Sequence, residues 1–324
     1  MLRRSLVRML AVSLVWVGTT LSGHAEYPDR PLKIIVAWPP GGVIDTIARI
    51  IGEQLAVQLG QPVVVENRVG ANGNVGTAAA ARAPADGYTL QAVTAETHAI
   101  NPHLYKALTY DVLRDFEPVA LLARSNFVLA AKASLPVNNV QELIELAKAS
   151  PGKFSVASYG IGSTSHVTLA SLEDATKTSF LHVPYRGVSP AVNAILTGEV
   201  DAAFVTPHIV VGLQKAGNVK ILGAASLQRM SIVPDVPTFT EQGITGFVGG
   251  NWYGVVAPRG IPDAVKARLA SEMKKIAASP SFLAHTKSLG VDAEYLDAAG
   301  FAEFLAKENE RWLTLIKARN IEIP

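Results

Sequence analysis

Short apolar runs alternate with amphipathic stretches along most of the chain. Residues 34–38 form a continuous apolar run rich in β-branched residues, which is typical of a strand buried on both faces of a parallel sheet. Two prolines and two glycines follow at 39–42 and end that strand. Apolar residues then recur at three- and four-residue steps from Ile44 and predict a helix that ends near Gly60. The pattern therefore predicts a strand, a glycine turn and a helix start.

This construction is repeated further along the chain. A run at 62–66 leads into a glycine-rich turn, and a run at 153–157 leads into another at 158–166, before a helix that Ser163 or Thr164 would cap. Further strand signals lie at 88–94, 119–122, 127–131, 180–183, 200–205, 219–224 and 252–257. Strands that alternate with helices in this way predict an α/β fold.

Two places in the sequence suit a passage between domains. Apolar strand signals lie on either side of 124–126, and the stretch after Ser226 passes through Pro234, Pro237 and Gly243 before the aromatic strand at 252–257. We expect a discontinuous domain 1 made of residues 26–124 and 226–324, and a domain 2 made of residues 125–225. A chain of 324 residues is long enough for two such domains with sizeable cores.

The first 25 residues match a signal peptide for export. Arg3, Arg4 and Arg8 form a basic head, an apolar segment follows, and the stretch ends at Ala25 as signal peptidase requires. The apolar segment is well short of the ~20 residues that span a bilayer. The sequence has no cysteine, which excludes disulfides, thiolate metal sites and a lipid anchor on an N-terminal cysteine. We expect a soluble protein of the periplasm.

The charge balance argues against nucleic acid as a partner. The full chain has 29 basic and 27 acidic residues, a net charge of +2. Without the three signal arginines, 26 basic residues face 27 acidic ones, so the exported protein carries a net charge of −1. Such a protein lacks the cationic field that nucleic acid requires.

The two glycine turns are the most informative candidates for a binding site. Unpaired amides at a helix N-terminus carry a partial positive charge and form a seat for an anion without a cationic side chain. The turns at 39–42 and 158–163 belong to different predicted domains, so their helices could meet across a cleft and hold a carboxylate. The alternative is that each turn merely connects a strand to a helix.

Other side chains near these turns have both functional and structural interpretations. Asp45 suits a site role or a helix-dipole contact with an ion pair to Arg49, and Arg186 suits a carboxylate contact or a solvated loop. The remaining candidates on the predicted loops, each with a structural alternative, are Trp38, Pro40, Thr97, His98, Gly160, His166, Tyr185 and Thr206.

Known catalytic and cofactor motifs are missing from the sequence. Gly160 and Gly162 begin a dinucleotide pattern, but position 165 is serine where the third glycine should stand. The sequence has no P-loop, HExxH or GxSxG motif. We therefore expect neither a cofactor nor a metal, and no enzyme activity.

Six ordered motifs carry a resemblance to a known family. They are PPGGVIDTIAR, GQPVVVENRVGANGNVGT, DGYTLQAVTAETHAINPHLY, SYGIGSTSHV, HVPYRGVSPAVNAILTGEVDAAF and WYGVVAPRGIP. Together they resemble the Bug or TctC family, the periplasmic solute-binding proteins of tripartite tricarboxylate transporters. The resemblance implies a two-domain type II periplasmic binding protein that closes on a small carboxylate and presents it to a membrane permease; we expect a monomer.

The resemblance also implies roles for individual residues. In this family the first glycine turn and the serine or threonine turn hold the ligand carboxylate, partly through ordered water. Those roles would fall to Gly41, Gly42, Ser158, Ser163 and Thr164. The loop from Thr97 to Asn101, which contains His98, and the pair Tyr185-Arg186 match other cleft positions of the family.

The sequence departs from the family pattern in two places. Trp38-Pro39-Pro40 replaces smaller residues, and Thr206-Pro207-His208 stands where Asp-Asn or Ser is common. The tryptophan suggests an aromatic acid as the ligand.

Two rival functions stay open at this point. One is a periplasmic hydrolase that uses Ser163 with His166, whose three-residue spacing would place both at a helix start. The other is a sensing adaptor that binds the same acid but docks onto a sensor kinase.

Overall fold

The computed structural model describes residues 27–323. The predicted signal peptide at 1–25 lies outside the described residues. Between residues 27 and 323, no helix has both the length and the apolar character needed to cross a membrane.

The described chain alternates strands and helices as the pattern predicted. The strands are β1 Leu32–Val36, β2 Val63–Asn67, β3 Thr89–Thr94, β4 Phe116–Asn126, β5 Val128–Lys132, β6 Ser155–Ser158, β7 Leu181–Pro184, β8 Ala202–Val205, β9 Val219–Ala224, β10 Gly250–Pro258 and β11 Asp292–Leu296. The helices are α1 Val43–Leu59, α2 Asn74–Ala81, α3 Asn101–Leu104, α4 Val140–Ala149, α5 Thr164–Thr176, α6 Val188–Thr197, α7 Pro207–Lys215, α8 Asp263–Ala277, α9 Pro280–Ser288 and α10 Ala298–Ala318.

The strands form two mixed sheets. The first has the order β11-β4-β10-β3-β1-β2, with β1 parallel to β2 and β3 and with β10 antiparallel to its neighbours. The second has the order β7-β6-β8-β5-β9, with β6 parallel to β7 and β8 and with β5 antiparallel to its neighbours. We call the parts built on these sheets the first and the second lobe. The predicted α/β fold is confirmed.

Each sheet is buried on both faces, which explains its continuous apolar runs. Along β1, Ile34 belongs to the core on the α1 and α8 side, whereas Ile35 belongs to the core on the α10 side. Along β5, Leu129 and Ala130 divide in the same way between two cores of the second lobe. Successive strand residues point to opposite faces, so a sheet covered on both sides needs apolar residues at every position.

Three chain segments cross between the lobes at one place. The amide of Phe127 donates to the carbonyl of Gly249 (2.9 Å), the amide of Gly249 to Ala225 (3.0 Å), and the amide of Ala225 to Phe127 (2.8 Å). Phe127 separates β4 of the first sheet from β5 of the second. The crossings at 127, 225 and 249 therefore form a single hydrogen-bonded connection.

The segment between β9 and β10 lies with the second lobe. Phe239, Ile244 and Phe247 belong to one core of the five-stranded sheet, and Met230 and Val233 belong to the other. The sequence prediction had assigned this segment to domain 1, because its prolines and glycine suggested a passage between domains. We propose instead that domain 2 extends to residue 249.

Candidate functional site

A cavity of about 500 Å³ lies between the two lobes. Its walls come from loops that follow the carboxyl ends of β1 and β3 in the first sheet and of β6, β7 and β8 in the second, together with the start of β10. The lining residues are Trp38, Pro39, Pro40, Gly41, Gly42, Val43, Ile44, Thr94, Glu96, Phe127, Tyr159, Thr164, Val188, Thr206, His208, Ile209, Asn251 and Tyr253. This is the edge at which open α/β sheets bind ligands.

The first glycine turn contributes the start of α1 to the cavity. Gly41 has φ +86°, a conformation that favours glycine, and Gly42 is the N-cap of the helix. The amide of Gly41 donates to Asp45 Oδ2 at 2.9 Å, so that donor is already used within the turn. The next helical residues, Val43 and Ile44, line the cavity, and their amides have no acceptor within the helix. They are the amides that this turn offers to an anion.

Asp45 supports the turn and does not line the cavity. Its side chain is 3% exposed and accepts hydrogen bonds from the Gly41 amide, from Arg49 through two nitrogens at 2.9 Å, and from Asn67 Nδ2 at 2.8 Å. Burial acts to raise the pKa of Asp45, but the hydrogen bonds and the Arg49 charge outweigh burial and hold the pKa below its ordinary value. The carboxylate is therefore ionised and compensated by a cation.

The second lobe contributes three more helix starts. Thr164 is the first residue of α5, Val188 the first of α6, and His208 and Ile209 lie in the first turn of α7 after its cap, Thr206. Together with α1, four helices of at least nine residues direct their N-termini at one cavity. Each end carries about half an elementary positive charge in the macrodipole description. These helix ends therefore favour an anion in the cavity without a lysine or arginine among its lining residues.

Ser163 and His166 organise the second glycine turn. Ser163 Oγ donates to the Gly160 carbonyl at 2.7 Å and accepts from the His166 amide at 3.4 Å, as expected of the cap of α5. His166 Nδ1 accepts from the Gly162 amide at 3.1 Å. The predicted site residues of this turn do not line the cavity; they are Ser158, Gly160, Ser163 and His166. Because the imidazole of His166 bonds to a backbone amide and the hydroxyl of Ser163 to a backbone carbonyl, they do not form the nucleophile and base pair that the hydrolase alternative requires.

Ser158 lies beneath this turn, in contact with a histidine pair. Its hydroxyl is 2.6 Å from His182 Nε2, and the rings of His166 and His182 stack in parallel at 3.9 Å. Burial, and then the neighbouring His182, lowers the pKa of His166 to about 4. Burial also lowers the pKa of His182. Both imidazoles are therefore neutral at pH 7.

Thr97 and His98 lie in the core of the first lobe, away from the cavity. Both are fully buried, in a π-helical turn at Glu96–Ile100, where the sequence had predicted an open loop. His98 packs edge-on against Phe116, and its carbonyl accepts from Asn309 of α10 at 2.8 Å. Burial lowers the pKa of His98 to about 3. The packing of α10 explains why these residues face inward.

Tyr185 and Arg186 also lie outside the cavity lining. The Tyr185 hydroxyl donates to Glu199 at 2.7 Å, and Arg186 is exposed on the loop before α6. Burial, the hydrogen bond and the charge of Glu199 together raise the pKa of Tyr185 to about 12. Of the predicted site residues, the structure brings Trp38, Pro40, Gly41, Gly42, Thr164 and Thr206 together around the cavity.

Sequence reasoning missed the aromatic and polar residues that complete the cavity wall. Phe127, Tyr159 and Tyr253 add aromatic surface, and burial raises the pKa of both tyrosines well above the ordinary value. Thr94 is the last residue of β3 and Glu96 follows it, a position at the carboxyl end of a strand that could have identified both. Tyr253 lies at the start of an antiparallel strand and had no such signal.

Some buried polar atoms at the cavity have no hydrogen-bond partner among the described residues. Trp38 Nε1 and Thr94 Oγ1 are buried and have no hydrogen-bond partner among residues 27–323. Buried polar atoms are normally paired, so an unpaired donor in a cavity indicates where a ligand or water binds. No group of three metal-ligating side chains occurs in the described part of the chain.

Comparison with known proteins gives a consistent result. A family model described as "Tripartite tricarboxylate transporter family receptor" matches residues 47–321. The chain is 36% identical, over 97% of its length and 94% of the relative, to a Pseudomonas sp. (strain P51) protein described as "UPF0065 protein in tcbD-tcbE intergenic region".

Solved structures of similar proteins cover nearly the whole chain. The periplasmic binding protein BugD is 34% identical with a TM-score of 0.75, and the match covers 91% of this chain and 99% of BugD. Rpa4515 of R. palustris, solved with adipate, is 29% identical with a TM-score of 0.78 and the same coverage. MatC of Rhodopseudomonas palustris, solved with bound malate, is 31% identical with a TM-score of 0.73, and the match covers 90% of this chain and all of MatC. The two-lobed periplasmic binding protein fold is therefore confirmed.

Proposed function

The chain belongs to the tripartite tricarboxylate transporter receptor family, and from this premise we propose that it is an extracytoplasmic solute receptor for a small carboxylate. The ligand binds in the cavity between the lobes, and the protein delivers it to a membrane permease of the tripartite type. Export by residues 1–25, a periplasmic location and a monomeric state belong to the same proposal.

The observation that carries the proposal is the convergence of helix N-termini from both lobes on a cavity without a lysine or arginine among its lining residues. Neutral backbone donors can hold a carboxylate firmly enough for capture and loosely enough for release, and a micromolar site corresponds to about −8 kcal/mol. The helix starts come from both lobes, so an anion between them favours the closed arrangement. The adipate and malate of two similar proteins are small carboxylates, which supports the same ligand class.

A proline at the first position of α1 tests the seat directly. Val43→Pro removes one amide that faces the cavity, and proline is well tolerated at this helix position. The preceding Gly42 has ψ 166°, which is compatible with a following proline. We expect the best acid from a thermal-shift screen of aliphatic, aromatic and amino acids to bind Val43→Pro roughly 10- to 100-fold more weakly, because one hydrogen bond to a charged group is lost.

The matched control is Asp263→Pro, which places a proline at the first position of α8. The Asp263 side chain is 99% exposed, and the helix start lies on the surface. This variant should bind the acid as the wild type does in calorimetry. Equal affinity of Val43→Pro and the wild type would exclude the α1 seat, and a screen without any binding acid would refute the receptor function.

A further inference from the structure

One carboxylate of the protein already occupies a helix N-terminus at the cavity. Glu96 lies just after β3 and is 7% exposed. Its Oε1 accepts from Thr164 Oγ1 at 2.9 Å and from the Thr164 amide at 3.4 Å, so the first lobe contacts the start of α5 across the cavity. The α5 seat, which the family resemblance would assign to the ligand carboxylate, is therefore filled by Glu96.

The position of Glu96 is fixed by an asparagine on β10. Asn251 Nδ2 donates to Glu96 Oε2 at 2.8 Å. The other end of this amide, Oδ1, accepts from the backbone amides of Ala95 (3.0 Å) and Trp252 (2.9 Å). Asn251 is thus oriented by the backbone and holds the carboxylate in one place.

Glu96 makes the cavity bipolar. Among the lining residues it is the one formally charged side chain, and its partners among residues 27–323 are the neutral donors of Thr164 and Asn251. The starts of α1, α6 and α7 still favour an anion on the other walls. A ligand with only a carboxylate would bring a second negative charge close to Glu96 inside a small cavity, where charges are poorly screened.

We propose that the ligand is an amino acid or a related zwitterion, whose carboxylate binds at the start of α1 and whose protonated nitrogen binds Glu96. This inference rests on the proposed receptor function and specifies the ligand class of the same site. The aromatic walls formed by Trp38, Phe127, Tyr159 and Tyr253 suit it, because aromatic faces attract an ammonium group and pack against an apolar body. The unpaired hydroxyl of Thr94 lies on the same wall as Glu96 and adds a polar contact.

Calorimetry with acids that differ only in an amino group tests the proposal. The probes are glutamate with glutarate, and phenylalanine with 3-phenylpropionate, so that both aliphatic and aromatic bodies are covered. On the wild type we expect an amine-bearing acid to bind at least about 10-fold more tightly than its amine-free partner, the range of a charge-assisted hydrogen bond. In Glu96→Gln this ratio should fall to nearly one, because the amide keeps the shape and loses the charge.

The matched control is Glu199→Gln, which removes a hydrogen-bonded carboxylate that lies in the second lobe and outside the cavity. It should leave the affinity ratio unchanged. If Glu96→Gln fails to fold, as judged by circular dichroism, the ratio on the wild type still decides the matter.

Three results would overturn the inference while leaving the receptor function intact. The first is an amine-free acid that binds the wild type as tightly as its amine-bearing partner, and the second is an unchanged affinity ratio in Glu96→Gln. The third is an amine-free acid that binds with uptake of one proton, as measured by calorimetry in buffers of different ionisation enthalpy. The last would mean that Glu96 is neutralised by protonation and not by a ligand cation. If no acid of either kind binds, the receptor function itself fails.

Discussion

Replacing Asp45 with alanine tests whether a buried carboxylate holds the first glycine turn in place. The side chain is 3% exposed and lies at the third position of α1, where an acid can bond back to the chain before the helix. It connects the Gly41 amide, the side chain of Asn67 and the guanidinium of Arg49. Alanine removes all of these acceptors at once.

The cost can be worked from the bonds that are lost. Hydrogen bonds to a charged group contribute about 1.5 kcal/mol each at the lower end of their range, so losing those from Gly41 and Asn67 should lower the free energy of unfolding by about 3 kcal/mol. The ion pair with Arg49 adds little, because that side chain is 47% exposed and its guanidinium regains water. Asn67 also donates to the Trp38 carbonyl at 3.0 Å, so its amide keeps one partner.

Urea denaturation at pH 7.5, followed by circular dichroism, measures this difference. Asp263→Ala is the matched control, since Asp263 also lies in the first turn of a helix but is 99% exposed, and its midpoint should stay at the wild-type value. A loss of less than 1 kcal/mol in Asp45→Ala would refute the account of the turn. Affinity for the bound acid should fall with stability, because the amides of Val43 and Ile44 are positioned by this turn.

Three further predictions follow from other contacts. Burial lowers the pKa of His98 to about 3, and burial with the facing His182 lowers that of His166 to about 4. At pH 5 these histidines are therefore protonated in the unfolded chain and neutral in the folded chain. The free energy of unfolding should fall by about 2 kcal/mol per histidine between pH 7.5 and pH 5. Urea titrations at several pH values should show this fall in the free energy of unfolding, and His98→Gln should make it smaller. The same pH dependence in His98→Gln and the wild type would contradict the lowered pKa of His98. Gly250→Ala places a Cβ 2.2 Å from a backbone carbonyl at φ +150° and should cost about 3 kcal/mol or more, against about 1 kcal/mol for Gly246→Ala in open space. Trp38→Leu should weaken the binding of aromatic acids more than that of aliphatic acids in calorimetry. An equal loss of affinity for both would argue against ring stacking on Trp38.

The local elements of the fold follow from the sequence because their signals are local. The apolar run at 34–38 predicts β1, which the structure places at Leu32–Val36, and the three- and four-residue repeat predicts α1 up to its glycine cap at Gly60. Ser163 caps α5 as expected. Ser189 and Pro190 are residue types typical of an N-cap and a first helical position, but α6 begins at Val188 after Gly187, since a glycine can also serve as an N-cap.

The contacts that complete the candidate site could not be predicted in this way. Glu96 meets Thr164, 68 residues away, and Asn251, 155 residues away, and nothing in the pattern near any of them indicates the pairing. His98 was expected on a cleft loop, yet the side it turns to the core is decided by Asn309 on the last helix. Long-range packing decides which face of a loop is buried, and local periodicity carries no information about it.

The two carboxylates near the helix starts differ in one physical respect that gives them different roles. Asp45 is paired with Arg49, so its charge is cancelled locally and the start of α1 keeps its attraction for an external anion. Glu96 accepts hydrogen bonds only from neutral donors among the described residues. The α5 dipole compensates part of its charge, and the rest can attract a cation in the cavity. A cavity with free helix starts and an acid that no side-chain cation neutralises matches a ligand that carries both signs of charge.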